Sequence, residues 1–129
     1  MIRAALLAAA GVLAGCGGGS EDVPEGQFHV AWSFELSNGA TADCGTAGIA
    51  TVIAVVDQGA EIQSVPTTFD CGLYEGLTVP VPVGEYTVKL EAYKPSGNFE
   101  TATANMTGSL ETEAQVFDVT PFVITIPPP

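Results

Sequence analysis

Few groups in this chain could do chemistry. It has one histidine, His29, three cysteines at Cys16, Cys44 and Cys71, and three cationic residues against 15 carboxylates. A serine-histidine-acid triad would have to be built on His29, and no Gly-x-Ser-x-Gly elbow supplies a nucleophile. A structural zinc site lacks ligands, because the cysteines are not paired as Cys-x-x-Cys and only one imidazole exists. A cysteine nucleophile would likewise have only His29 as its base. Paired carboxylates could serve a glycosidase, but they need a deep cleft that a domain this small seldom has. Asp43, Asp57, Asp70 and Asp118 fall near expected strand ends, where loops could gather them around Ca²⁺. Aspartates favour turns for backbone reasons alone, and no EF-hand spacing is present. The expectation is therefore a chain without catalytic residues, metal or cofactor, and not an enzyme.

The charge balance excludes other classes. The formal net charge is −12, and Arg3 is the sole arginine. Nucleic-acid binding needs clustered Lys and Arg, so nucleic acid is not an expected partner. The same balance argues against a domain lying flat on an anionic lipid surface. The acids recur every few residues, as outward strand positions and turns would, and suit a solubilising surface.

The elements that must position these groups read as strands. In residues 28–36, Phe28, Val30, Trp32, Phe34 and Leu36 alternate with His29, Ala31, Ser33 and Glu35, so one face enters a core and the other meets solvent. Trp32 belongs to the apolar face as core, rather than serving as a sugar-stacking platform, and His29 belongs to the solvated face. Residues 49–56 are apolar on both faces and β-branched, which suits a central strand. Phe69 and Cys71 share one face of a weaker strand. In residues 77–83, Leu77, Val79, Val81 and Val83 share a face, while Pro80 and Pro82 remove two donors from one side, so the segment is an edge or bulged strand. Tyr86, Val88, Leu90 and Ala92 point inward from the next strand, and Pro95-Ser96-Gly97-Asn98 is a hairpin turn. Residues 99–107 suit an outer strand, and 108–115 a polar connection. Residues 116–126 form a last strand broken at Pro121, and Pro127-Pro128-Pro129 forms a short polyproline tail.

Seven or so short strands predict an all-β fold, a single antiparallel β-sandwich of Ig-like or transthyretin-like type. Val81-Pro82-Val83-Gly84-Glu85-Tyr86-Thr87-Val88 resembles the Pro-x-Gly-x-Tyr-x-Val hairpin of carboxypeptidase-regulatory-like and other transthyretin-like domains. The resemblance covers some 15 residues and implies no catalytic residue. The hydrolases of that group use histidines and a basic residue and end in Tyr-Arg-Gly-Ser, whereas this chain ends in Ile126-Pro127-Pro128-Pro129.

Leu13-Ala14-Gly15-Cys16 resembles the lipobox of bacterial lipoproteins, which is cut just before the cysteine. Residues 1–3 form a minimal positive region, and residues 4–14 an apolar run of 11 broken only by Gly11. A spanning helix needs about 20 apolar residues, so the run suits a signal peptide. The resemblance implies that Cys16 becomes the mature N-terminus and carries palmitate-type acyl chains that hold the chain in the membrane. The expected organisation is a signal peptide at 1–15, a lipidated, glycine-rich tether at 16–26 and a sandwich at 27–129. A flexible tether of ten residues, 17–26, spans roughly 15–20 Å. The mature 114 residues would carry 15 acids against Lys89 and Lys94, a formal charge of −13. With Cys16 given to lipid, Cys44 and Cys71 remain as an even pair in an oxidising compartment, where a disulfide is expected.

These readings converge on a lipid-anchored protein of the cell envelope that presents a non-catalytic binding or interaction module. Its partner would be an envelope protein or glycan, and its place the outer rather than the inner membrane, since Gly17 is not the aspartate associated with inner-membrane retention. The alternatives are a structural subunit of an envelope assembly or a Ca²⁺-dependent adhesion or sugar-binding module. Replacing Cys16 by alanine should abolish labelling by an alkyne fatty acid and move the protein out of the membrane fraction. Equal labelling of Cys16→Ala and wild type would overturn the lipobox reading.

Overall fold

The computed structural model describes residues 23–58, 64–119 and 121–128; Cys16 and most of the expected tether lie outside them. The described residues form a two-sheet, all-β sandwich. Its organising strand is β1 (Glu25–Glu35), which begins two residues before the expected boundary; just upstream, Val83 N donates to Pro24 O at 3.0 Å. On one side β1 pairs antiparallel with three short segments in turn: β2 (Thr41–Ala42), β5 (Glu75–Leu77) and β6 (Val81–Pro82). On the other side lie β10 (Val116–Asp118) and β11 (Phe122–Thr125), both parallel to β1.

The second sheet is antiparallel throughout. Strand β3 (Thr51–Asp57) lies between β4 (Val65–Asp70) and β7 (Gly84–Tyr93), and β7 carries β8 (Phe99–Ala102) and β9 (Met106–Leu110) along its far edge. The gap between β8 and β9 is bridged by Thr103, whose N–H donates to Leu90 O at 2.9 Å while its Oγ1 accepts from Leu90 N at 3.0 Å. Joining collinear segments gives seven strand positions, as the turn spacing predicts. The parallel pairing of the last strand with the first is the exception to an antiparallel sandwich. It is decided by long-range packing, which no local pattern encodes.

The core lies between the sheets. Phe28, Val30, Trp32 and Phe34 of β1 face Val52, Ala54 and Val56 of β3 and Tyr86, Val88, Leu90 and Ala92 of β7, all buried. The alternation expected of β1 and β7 is therefore realised, while β3, apolar on both faces, buries Val52, Ala54 and Val56 fully and its other face in part. Phe28 meets Tyr86 edge-on at 5.7 Å between ring centroids, and Gly108 leaves room for Phe28, whose Cε1 would lie 2.6 Å from a Cβ there.

Two segments depart from expectation. Leu77 and Val79 do not share the core face with Val81; they are 46% and 41% exposed, whereas Thr78 is buried. The cause is a bulge. His29 opposes Leu77 and Gly26 opposes Val81, so four steps on the edge answer three on β1 and the inward parity flips between them. Edge and bulge thus occur together, as the two prolines require. The polar connection expected over 108–115 starts late, because β9 continues to Leu110, which is buried. The turn that follows is held by Gln115, whose Oε1 accepts from Glu111 N at 2.6 Å and Thr112 N at 3.2 Å.

Thr78 secures the bulge. Its Oγ1 accepts from Phe28 N at 3.0 Å, and its own N–H donates to Phe28 O at 2.9 Å. Thr78→Val keeps the shape but strands the buried Phe28 N–H, and should cost about 1–3 kcal/mol in urea unfolding, with Thr78→Ser recovering most of it. Equal stability of Thr78→Val and wild type would contradict the arrangement.

Candidate functional site

The strand registers define two ends of the sandwich. The chain enters β1 at one end, beside Val83, Gly84 and Leu110; the opposite end gathers residues 36–50, 70–74 and 94–98. At that far end, Asp43 caps a single helical turn, α1 (Cys44–Ala47), its Oδ1 accepting from Thr46 N at 2.7 Å, and Gly48 closes the turn at φ 76°. The Thr46 N–H holds the Asp43 carboxyl below its ordinary range. No helical period in the sequence announces so short a turn; the Asp43 cap and Gly48 are its visible signals.

Cys44 is disulfide-bonded to Cys71, with a Cα–Cα distance of 6.1 Å. Cys71 opens a 3₁₀ turn (Cys71–Leu73) and is fixed from two directions: its N–H donates to Ala50 O at 2.9 Å, and its carbonyl accepts from Trp32 Nε1 at 3.0 Å. Trp32 is thus core, with its indole N–H satisfied and its ring 5.5 Å from that of Phe69.

Tyr74 follows in a left-handed conformation, φ 60°. A residue with a side chain holds that geometry at a cost of order 1 kcal/mol, and only when its surroundings impose it. Three bonds do so: Tyr74 N donates to Cys71 O at 3.2 Å, Tyr74 O accepts from Trp32 N at 3.0 Å, and the hydroxyl accepts from Cys44 N at 3.1 Å. The result is a braced corner that presents Leu73, 58% exposed, and part of the Tyr74 ring, 37% exposed. From the sequence, a binding module would present a loop cluster with Tyr74 or Tyr93 at the surface. Leu73 and the left-handed backbone carry no sequence signal beyond the neighbouring Gly72.

The other candidates lie elsewhere. His29 sits on the outer face of the β1 sheet, its Nε2 2.8 Å from Glu75 Oε1 and its Nδ1 3.0 Å from Asp118 Oδ1. A neutral imidazole can donate to only one of these carboxylates. The four loop aspartates do not converge: Asp43 and Asp70 are at the far end, Asp57 ends β3 near the entry end, and Asp118 flanks His29. Among the described residues no group of three or more His, Cys, Asp or Glu side chains could hold a metal ion. Tyr93, the second expected surface aromatic, is half-buried and packs edge-on against the exposed Phe99 at 5.7 Å.

Tyr93 donates to Glu91 Oε1 at 2.8 Å, and that bond, with desolvation and the carboxylate charge, raises the phenol above its ordinary value near 10. Because the folded value is raised, the stabilisation is complete below the ordinary tyrosine range and is lost as pH climbs through the folded value. Ring-carbon NMR titration should find Tyr93 ionising later than a free tyrosine, and Glu91→Ala should bring it back down. A Tyr93 midpoint unchanged by Glu91→Ala would rule out the bond as the cause.

No protein-family model matches the chain, and neither does any curated protein. Among solved structures, the sandwich is similar to part of a leucine-rich repeat protein from Bacteroides thetaiotaomicron, with a TM-score of 0.54 and 15% sequence identity. The match takes in 94% of this chain but 16% of that one, so this chain spans about a sixth of the length of that protein. At that identity the likeness is one of fold.

Proposed function

We propose that this chain is a lipid-anchored protein of the cell envelope, held in the outer membrane through Cys16, whose sandwich is a non-catalytic module for binding an envelope protein or glycan. The observation that carries the binding reading is the braced corner at Leu73 and Tyr74. A disulfide, a 3₁₀ turn and three hydrogen bonds maintain a strained backbone whose product is an exposed leucine and a fixed aromatic edge. Pre-organised aromatic and aliphatic groups lose little entropy when a partner covers them. The lipobox resemblance supplies the anchor. With β1 beginning at Glu25, eight residues separate it from Cys16, a reach of roughly 15 Å if flexible. The corner stands at the end of the sandwich opposite the start of β1.

A second reading has its own observation. Leu77, Val116 and Val123 are about half-exposed on the outer face of the β1 sheet, which would suit a structural subunit packed in an envelope assembly.

A photo-cross-linking residue at position 73 or 123 of the full chain, expressed in cells, separates the two. The binding reading expects a discrete adduct from position 73 and little from 123. Adducts from 123 alone would favour the assembly subunit. No adduct from 73, with the protein still in the membrane fraction, would sink the binding reading while leaving the anchor intact.

A further inference from the structure

A groove of about 650 Å³ opens at the entry end, opposite the Leu73–Tyr74 corner. Its floor is a cross-strand ladder. Asp57 opposes Thr87, Thr87 opposes Thr107, and Glu85 opposes Ser109, so carboxylates and hydroxyls from three strands share one face. Gln58 borders it at the end of β3, and Phe117 borders it from the other sheet, packed beside Gly108. A side chain at 108 would displace Phe117, whose Cε1 would lie 3.2 Å from the added Cβ. The volume falls within the range of small-ligand sites, about 300–1,000 Å³.

The chemistry of the lining is one-sided. Among the described residues it contains no lysine, arginine or histidine, and every polar side chain in it can accept a hydrogen bond. Tyr86 is the one phenol, and its hydroxyl already donates to Pro82 O. Glu85 is exposed at the rim. Glu25, Glu111 and Glu113 lie at the same end, Glu113 Oε1 accepting from Glu25 N at 3.1 Å, so the local field attracts cations and repels anions. Lys89, the nearest basic residue along β7, lies further up the strand and pairs with Glu91 at 3.5 Å.

We infer that this groove binds a ligand through an alkylammonium group, seated between Glu85 and the hydroxyls of Thr87 and Ser109. An ammonium has three N–H donors and no acceptor, which this lining complements. The site is distinct from the Leu73–Tyr74 corner and does not depend on it.

Calorimetric titration of the full chain at 0.15 M NaCl, with spermidine, a lysine tetrapeptide, maltotriose and citrate as probes, tests this. Spermidine or the lysine peptide should bind with one-to-one stoichiometry, and the stronger of the two identifies the source as a polyamine or a peptide. Glu85→Gln should weaken that binding at least about tenfold, the loss expected for a hydrogen bond to a charged group. Glu35→Gln, at the far end of β1, should leave it within about twofold. Equal weakening by both variants would mean that the amine responds only to overall charge, and would overturn the site. So would binding of maltotriose with none of either amine, which would make the groove a neutral glycan site, or binding of no probe at all. None of these outcomes bears on cross-linking at position 73.

Discussion

One strand has to satisfy two sheets at once. Phe28, Val30, Trp32 and Phe34 project from β1 into the space between the sheets, while its backbone is claimed on both edges by five short segments. Burying each of these side chains is worth about 1.5–3 kcal/mol, but only if the facing layer is complete. That layer is β3 and β7, whose inward residues other than Tyr86 are small or branched, facing the aromatics of β1. Large against small is how two pleated faces reach interior density without voids. None of the five segments flanking β1 exceeds four residues, and none would be a stable strand alone. They exist as strands because β1 templates them.

The bracing of the far end follows from the same strand. Trp32 is the point where core and corner meet: its ring is buried against Phe69, its indole donates to Cys71 O, and its backbone N–H reaches Tyr74 O. The disulfide then ties this group to α1, which the sheets would otherwise hold only weakly. A surface built this way inherits the rigidity of the core. Its exposed groups are few, but their positions are determined by atoms that do not move independently.

Much of this was legible in the residues. Alternation identified the buried faces of β1 and β7 because period-two patterning is a direct consequence of the pleat, whereas β3, apolar on both faces, announced only a central strand. Pro80 and Pro82 revealed an edge because a missing donor is a local property. What stayed hidden was set by partners distant in sequence. Thr78 looked like an outward residue until the bulge against β1 turned it inward to serve Phe28. The parallel docking of β10 and β11 has no pattern of its own, since Phe122 and Ile124 would be buried in either direction. Tyr74 could be recognised as an aromatic in a loop, but its left-handed backbone is imposed by Cys71, Trp32 and Cys44 acting together. The groove beside Gly108 is likewise a product of register, which brings Glu85, Thr87 and Ser109 to one face from two strands.

The parallel run of β10 and β11 along β1 has a mechanical consequence. Residue 24 lies at one end of the sandwich and Ile126, which donates to Glu35 O, at the other. A force applied between them would pull the two strands past each other along their length. Hydrogen bonds lying across that direction share the load and must fail together, unlike the bonds of a hairpin peeled open from its turn, which fail one at a time. Strands loaded in shear would make the sandwich stiff along its long axis, transmitting tension between whatever holds its entry end and whatever grips the far one.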